Sequence, residues 1–182
     1  MIEVFVESIR VNMANYKRVV MLKEKTSGRY LPIWIGHFEA DAIAIPMQKV
    51  PVSRPLTHDL LRSAISTLGA TLDRVVITDL ADETFFAKLI LTHEGKTLEV
   101  DARPSDAIAL AIRAEVSIYV EERVLESAGV TFDGDEEAET PARGRERERE
   151  ESAPLDEEKL SVFKQFIDTL DIDDIGKGGE GK

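Results

Sequence analysis

Apolar and polar positions alternate along the first 130 residues in two periods, and these mark a succession of strands and helices. Val4, Val6 and Ser8 interleave with Phe5, Glu7 and Ile9 up to Val11, which predicts a strand over about 2–12. Lys17 to Lys25, enclosing Arg-Val-Val-Met-Leu, predicts a second strand, and Leu31 to Ile35 a third; Thr26-Ser27-Gly28-Arg29 turns between them. Phe38 to Gln48 has the helical period, with Ala40, Ile43 and Met47 on one stripe, and Pro46 near its end should kink or stop it. After a Pro-rich loop from Lys49 to Pro55, Thr57 is placed to cap a helix through Leu68, with Gly69 as its stop. Leu60, Leu61, Ala64, Ile65 and Leu68 form its apolar stripe, so it is expected to face the core.

Three further strands follow, Leu72–Ile77, Thr84–Thr92 and Lys96–Val100, with Glu94-Gly95 turning between the last two. Ser105 or Asp106 opens a helix through Arg113, Ser117–Val120 is a short strand, and Glu121–Ala128 is a last helix closed by Gly129. Ile33-Trp34-Ile35 precedes Asp41-Ala42-Ile43-Ala44-Ile45, and 65 positions later Leu98-Glu99-Val100 precedes Asp106-Ala107-Ile108-Ala109-Leu110. A duplicated unit of three strands plus a helix accounts for this; convergence of Ala/Ile helices accounts for it equally. Either way the expected class is α+β, a mostly antiparallel sheet with helices packed on it.

Composition shifts at Thr131. Residues 1–130 carry 15 Lys+Arg against 18 Asp+Glu, and residues 131–182 carry 8 against 17, so of the formal −12 the body holds −3 and the tail −9. The acidic run Asp133–Glu139 and the Arg/Glu alternation of Arg143–Glu151 predict a charged, disordered linker over 131–154. An amphipathic helix over 155–175 follows, with Leu160, Phe163, Phe166, Ile167 and Leu170 on one face, then a disordered tail over 176–182. A near-neutral body gives no global steering of polyanions, so any nucleic-acid site must be local. The absence of cysteine excludes disulfides, thiolate metal sites and a cysteine nucleophile. No apolar run approaches the roughly 18 residues a membrane helix needs, and the N-terminal residues are acidic where a signal peptide is basic. A cytoplasmic protein with no membrane association is expected.

The candidate chemistry gathers at two predicted helix starts. Arg54-Pro55-Leu56-Thr57-His58-Asp59 and Arg103-Pro104-Ser105-Asp106 each place an Arg, a hydroxyl and an Asp where free backbone N–H groups favour an anion. Arg54, Thr57, Arg103 and Ser105 are therefore candidate phosphate ligands; equally, Thr57 and Ser105 are caps and Asp59 and Asp106 complement the helix dipole. Asp79, Asp101 and Asp106 lie near strand ends and are candidates to hold Mg²⁺ or Mn²⁺ for phosphodiester hydrolysis. Alternatively, Asp79-Leu80-Ala81-Asp82 is simply a turn and Asp101 pairs with Arg103. Among His37, His58 and His93, His58 is the best proton shuttle, because imidazole titrates near neutrality, and with Asp101 and Asp106 it makes the candidate catalytic set. Trp34, Phe85 and Phe86 lie in strands, as core or as an interface that predicts self-association into a homo-oligomer.

Four stretches resemble the bifunctional nuclease domain family: Leu31-Pro32-Ile33-Trp34-Ile35-Gly36 with Phe38-Glu39-Ala40, then Arg54 to Leu61, then Val76-Ile77-Thr78-Asp79-Leu80. The fourth, Val100-Asp101-Ala102-Arg103-Pro104-Ser105-Asp106-Ala107-Ile108-Ala109-Leu110-Ala111, is the most distinctive. The resemblance covers about residues 1–130. It implies hydrolysis of phosphodiester bonds in RNA and DNA, which a divalent metal could assist; single-stranded nucleic acid is the expected partner. The alternative expectation is a non-catalytic, homo-oligomeric interaction module whose C-terminal helix docks a partner.

Overall fold

The computed structural model describes residues 1–12 and 16–131. The expected linker beyond Thr131, the helix over 155–175 and the tail over 176–182 lie outside the described residues.

The first unit is a meander of β1 (Ile2–Val11), β2 (Arg18–Glu24) and β3 (Arg29–Ile35), followed by α1 (His37–Met47). After α2 (Thr57–Thr67) comes a second meander, β4 (Ala70–Ala81), β5 (Thr84–His93) and β6 (Lys96–Ala102), followed by α3 (Pro104–Ala114). The chain then adds β7 (Ser117–Val120), α4 (Glu122–Ala128) and β8 (Val130–Thr131). All strands join one sheet in the order β6-β5-β4-β7-β1-β2-β3-β8. Every pairing is antiparallel except β4 with β7. The class is α+β, and the unit of three strands plus a helix occurs twice. β7 runs parallel to β4 and antiparallel to β1, so β1 and β4 are themselves opposed. The two meanders thus run outward from β7 as if related by a two-fold axis through it.

Register assigns the faces. Val20–Ile33, Leu22–Leu31, Val75–Leu89 and Leu72–Leu91 pair on the side covered by helices, and these residues are buried in one core with Ile43, Ile108, Leu110 and Val124. Phe5, Trp34 and Phe86 point from the opposite face and each is more than two-fifths exposed, whereas Met21, Val76 and Ile90 on that same face are buried. α3 is apolar almost all round, as a helix buried on every side must be, and it packs against β4 and β5 as well as α1 and α2.

Two expectations are corrected. α2 has an apolar stripe but buries no residue: Leu60 and Leu68 are 64% and 75% exposed. Periodicity shows that a helix has two faces, not that the chain covers the apolar one. Asp79, Leu80 and Ala81 belong to β4 and not to a turn; the two-residue turn is Asp82-Glu83.

That turn has positive φ at both positions, 48° and 60°, as does Glu94-Gly95 between β5 and β6. Two-residue hairpins need this geometry to match strand twist, and Gly is the residue that adopts it freely. Glu83 stands where the other hairpin has Gly. Glu83→Gly should therefore stabilise the fold by up to about 1 kcal/mol, read as a higher urea midpoint at unchanged slope; an unchanged or lower midpoint would mean that the Glu83 side chain makes a compensating contact.

Candidate active site at three helix starts

Three helices begin side by side. Each carries an acid at its third residue, Glu39 in α1, Asp59 in α2 and Asp106 in α3, where the dipole favours negative charge. Each acid meets an arginine. Arg103, the residue before α3, donates from Nε to Asp106 Oδ2 at 2.6 Å and from Nη1 to Glu39 Oε1 at 3.0 Å. The other oxygen of Asp106 lies 3.1 Å from His58 Nε2 on α2. A single polar chain, Glu39–Arg103–Asp106–His58, thus joins α1, α3 and α2. The two starts singled out in the sequence are in direct contact.

Burial alone would push the Asp106 carboxyl up, but the hydrogen bonds from Arg103 and then His58 outweigh it and hold the group below the usual carboxylate range. Asp106 is therefore an acceptor only. It follows that His58 Nε2 carries a hydrogen and donates it to Asp106, so that in the neutral ring the lone pair is on Nδ1. Only 13% of the His58 side chain is exposed.

Thr57 and Ser105 do not cap their helices. The residue before α2 is Leu56, whose N–H donates to Asp59 Oδ2 at 2.8 Å, so the helix start is fixed from inside its first turn. α3 opens on Pro104, which lacks the N–H that a first position cannot use. Thr57 is exposed. Ser105 is 7% exposed and, among the described residues, its hydroxyl has no hydrogen-bond partner. It lines a cleft of about 310 Å³ together with Arg103, Glu39, Gly36, Trp34 and Phe85. β3 and the β4–β5 turn share this cleft although three strands separate β3 from β4 in the sheet, which shows how strongly the sheet curves. Arg54 is exposed with no partner among the described residues. Arg103 is also exposed, at 65%, but engaged by two carboxylates. Arg54 and Arg103 together only balance Glu39 and Asp106.

The expected metal set is not assembled. Asp79 lies 3.4 Å from Arg123. Asp101 is exposed on β6, opposite Lys88, and β5 separates it from β4. Asp106 is committed to His58 and Arg103. Among the described residues no three His, Asp or Glu side chains come together as a metal site would require. These carboxylates do not fit Mg²⁺ or Mn²⁺ as a ligand trio, because two are neutralised by arginine and the third is across the sheet.

Three participants had no assigned role in the sequence. Glu39 is the α1 counterpart of Asp106; the repeat in sequence aligned Asp41 instead, because α3 starts two residues later relative to its motif than α1 does. Gly36 lies against Glu39: an added Cβ would stand 2.2 Å from its Oε2, so Gly36→Ala should displace Glu39 from Arg103. Arg113 is buried in α3 and ties Asp59 to α1.

The acidic groups set a pH limit. Asp59 and Glu24 are held low as well as Asp106: for Asp59 the hydrogen bonds from Leu56 N–H and Arg113 overcome burial, and for Glu24 those from Arg29 and Ser27 dominate. Lowered folded-state values stabilise above the unfolded values, near 4 for carboxylates, and that stability is lost as pH falls through the folded ones. Thermal stability should be nearly flat from pH 7 to 5 and fall below about pH 4; Asp106→Asn should flatten part of that acid slope.

Sequence comparisons place the chain in a family. The sequence pattern of the bifunctional nuclease domain matches residues 20–133, a span that includes all four residues of the polar chain. An uncharacterized protein of Mycobacterium tuberculosis is 44% identical over 175 residues, 95% of this chain and 97% of its own length. Bifunctional nuclease 1 of Arabidopsis thaliana is 25% identical over 177 residues, 92% of this chain, and bifunctional nuclease 2 of the same plant 26% identical over 179 residues, 93% of this chain; each match covers 54% of the plant protein. This chain therefore spans about half the length of those two plant relatives, and it belongs to the bifunctional nuclease domain family.

Proposed function

We propose that the protein is a cytoplasmic nuclease that hydrolyses phosphodiester bonds of single-stranded RNA or DNA where α1, α2 and α3 begin. One observation carries this reading: Asp106, kept ionised by Arg103, orients His58, and the same Arg103 lines a cleft with an uncommitted serine hydroxyl, Ser105. In this reading His58 Nδ1 removes a proton from the attacking water or ribose hydroxyl. As the attacking oxygen bonds to phosphorus, the P–O bond to the leaving nucleotide oxygen breaks and that oxygen takes the proton back from the imidazolium. The negative charge developing on the phosphoryl oxygens is met by the free N–H groups at the start of α3 and by Arg103 and Arg54. The cleft's volume of about 310 Å³ suits a single unpaired nucleotide better than a duplex, which favours single strands. No step is routed through a metal, since the carboxylates do not form a site for one.

The experiment is cleavage of single-stranded RNA and DNA by the full chain, with Mg²⁺, with Mn²⁺ and with EDTA, beside His58→Ala. Cleavage that needs His58 and survives EDTA is expected. Cleavage lost in EDTA would show that an ion enters with the substrate, and equal cleavage by wild type and His58→Ala would remove the assignment. A second reading, a non-catalytic interaction module, has its own support in the uncovered apolar stripe of α2; absence of cleavage under all these conditions would favour it.

A further inference from the structure

The helical layer does not reach the edge of the sheet. β6 is the last strand on its side and its residues are exposed apart from the half-buried Ala102. Among the described residues, its backbone donors and acceptors on the outer side have no strand to pair with. Edge strands are usually protected by an inward-pointing charge, a proline or a bulge. At the two central positions of its helix-side face β6 has instead Leu98 and Val100, 43% and 44% exposed, and its pairing with β5 runs without a register shift.

The apolar surface continues inward. Leu98 pairs with Leu91, and Leu91 with Leu72. Leu72 is also the floor of a groove of about 520 Å³ along α2, shared with Ile65, Leu110 and Ala114. Past that groove α2 presents Leu60, Leu61 and Leu68, all exposed. Strand edge, groove and helix stripe all lie on the helical side of the sheet. The exposed fractions of these five leucine and valine side chains amount to on the order of 400 Å² of apolar area, above what a monomer leaves open singly. That is about the apolar share of the roughly 800 Å² each partner contributes to a standard dimer.

We propose that this surface binds a second copy of the chain, with β6 pairing antiparallel to β6 of the partner about a two-fold axis at Glu99. The occupant follows from self-complementarity. In that register Leu98 faces Val100 of the other copy and Val100 faces Leu98, apolar on apolar on the helix side. Thr97 meets Asp101 on the other side, and the two Glu99 carboxylates that meet at the axis are each held by Lys88 at 2.7 Å within their own copy. A symmetric pairing closes, as most soluble oligomers do, and it joins two sheets of eight strands into one. The interface is separate from Trp34, Phe85 and Phe86, where the sequence alone placed self-association, and does not depend on the nuclease reading.

The chain has no cysteine, which makes a direct test possible. Paired Cα atoms in an antiparallel sheet are about 4.5–5.5 Å apart, within the ~4.4–6.8 Å range of a disulfide. Under mild oxidation the full chain with Glu99→Cys should convert to a covalent dimer, while Asp101→Cys, whose opposite number is Thr97, should not. By sedimentation the wild type should be a dimer at micromolar concentration, and Val100→Lys should raise its dissociation constant at least tenfold. A wild-type monomer, an unaffected dimer in Val100→Lys, or cross-linking at residue 101 in place of 99 would each overturn the proposal.

Discussion

His58→Ala should reduce phosphodiester cleavage by about two to four orders of magnitude, the usual contribution of a positioned general base, while costing little stability. Asp106→Asn should be nearly as damaging for a different reason. An asparagine side chain offers an amide that can present its N–H to Nε2, and the imidazole would then protonate at Nδ1, the atom needed as base. The mutant protein would keep the geometry and lose the tautomer. Asp101→Asn, by contrast, should leave activity within about twofold, because Asp101 is solvent-exposed on the edge strand, paired opposite Lys88. Rates for the three variants on single-stranded RNA and DNA, with melting temperatures alongside, check this pattern. A large loss in Asp101→Asn with a small one in His58→Ala would return the carboxylates to the centre of the chemistry.

The parts of this protein legible in its sequence are those fixed by neighbours along the chain. Strand and helix periods, the Gly69 stop at φ 80° and the Glu94-Gly95 turn are all local, and the structure has them within a few residues of their expected bounds. The two helix starts were legible for the same reason, as Arg, hydroxyl and Asp in a short space. What joins them was not. His58 and Asp106 are 48 residues apart, and Glu39 and Arg103 64 apart, and no spacing rule reports which charge a guanidinium will find across that distance. Composition favoured aspartates for metal binding, yet Asp79 and Asp106 each have an arginine as partner. Burial was misjudged where it depends on the sheet's curvature: α3 is enclosed and α2 is not, although both have an apolar stripe.

Arg113→Ala should cost about 3–5 kcal/mol, the penalty for breaking a buried ion pair from one side. The Arg113 side chain is 4% exposed. Its Nε donates to Asp59 Oδ1 at 2.8 Å, and Nη1 donates to the carbonyls of Ala42 at 2.6 Å and Ala109 at 2.8 Å. One guanidinium thus holds α1, α2 and α3 together, and Arg62 adds a hydrogen bond to the Arg113 carbonyl. The dependence is greatest for α2, which has no buried residue of its own to anchor it. Lysine should not substitute, since a single ammonium lacks the planar fork that reaches a carboxylate and two carbonyls at once. Without Arg113, Asp59 keeps its Leu56 N–H but loses its charge partner, so burial is no longer outweighed and the carboxyl moves up from its lowered position. The destabilisation should therefore be largest near neutral pH, where Asp59 is ionised, and shrink as the solution is acidified and Asp59 becomes neutral. Denaturation of Arg113→Ala, Asp59→Ala and the double variant, at pH 7 and pH 4, measures the coupling. A double variant no more stable than the sum of the two single losses would show that the pair is not coupled and that α2 is held by something else.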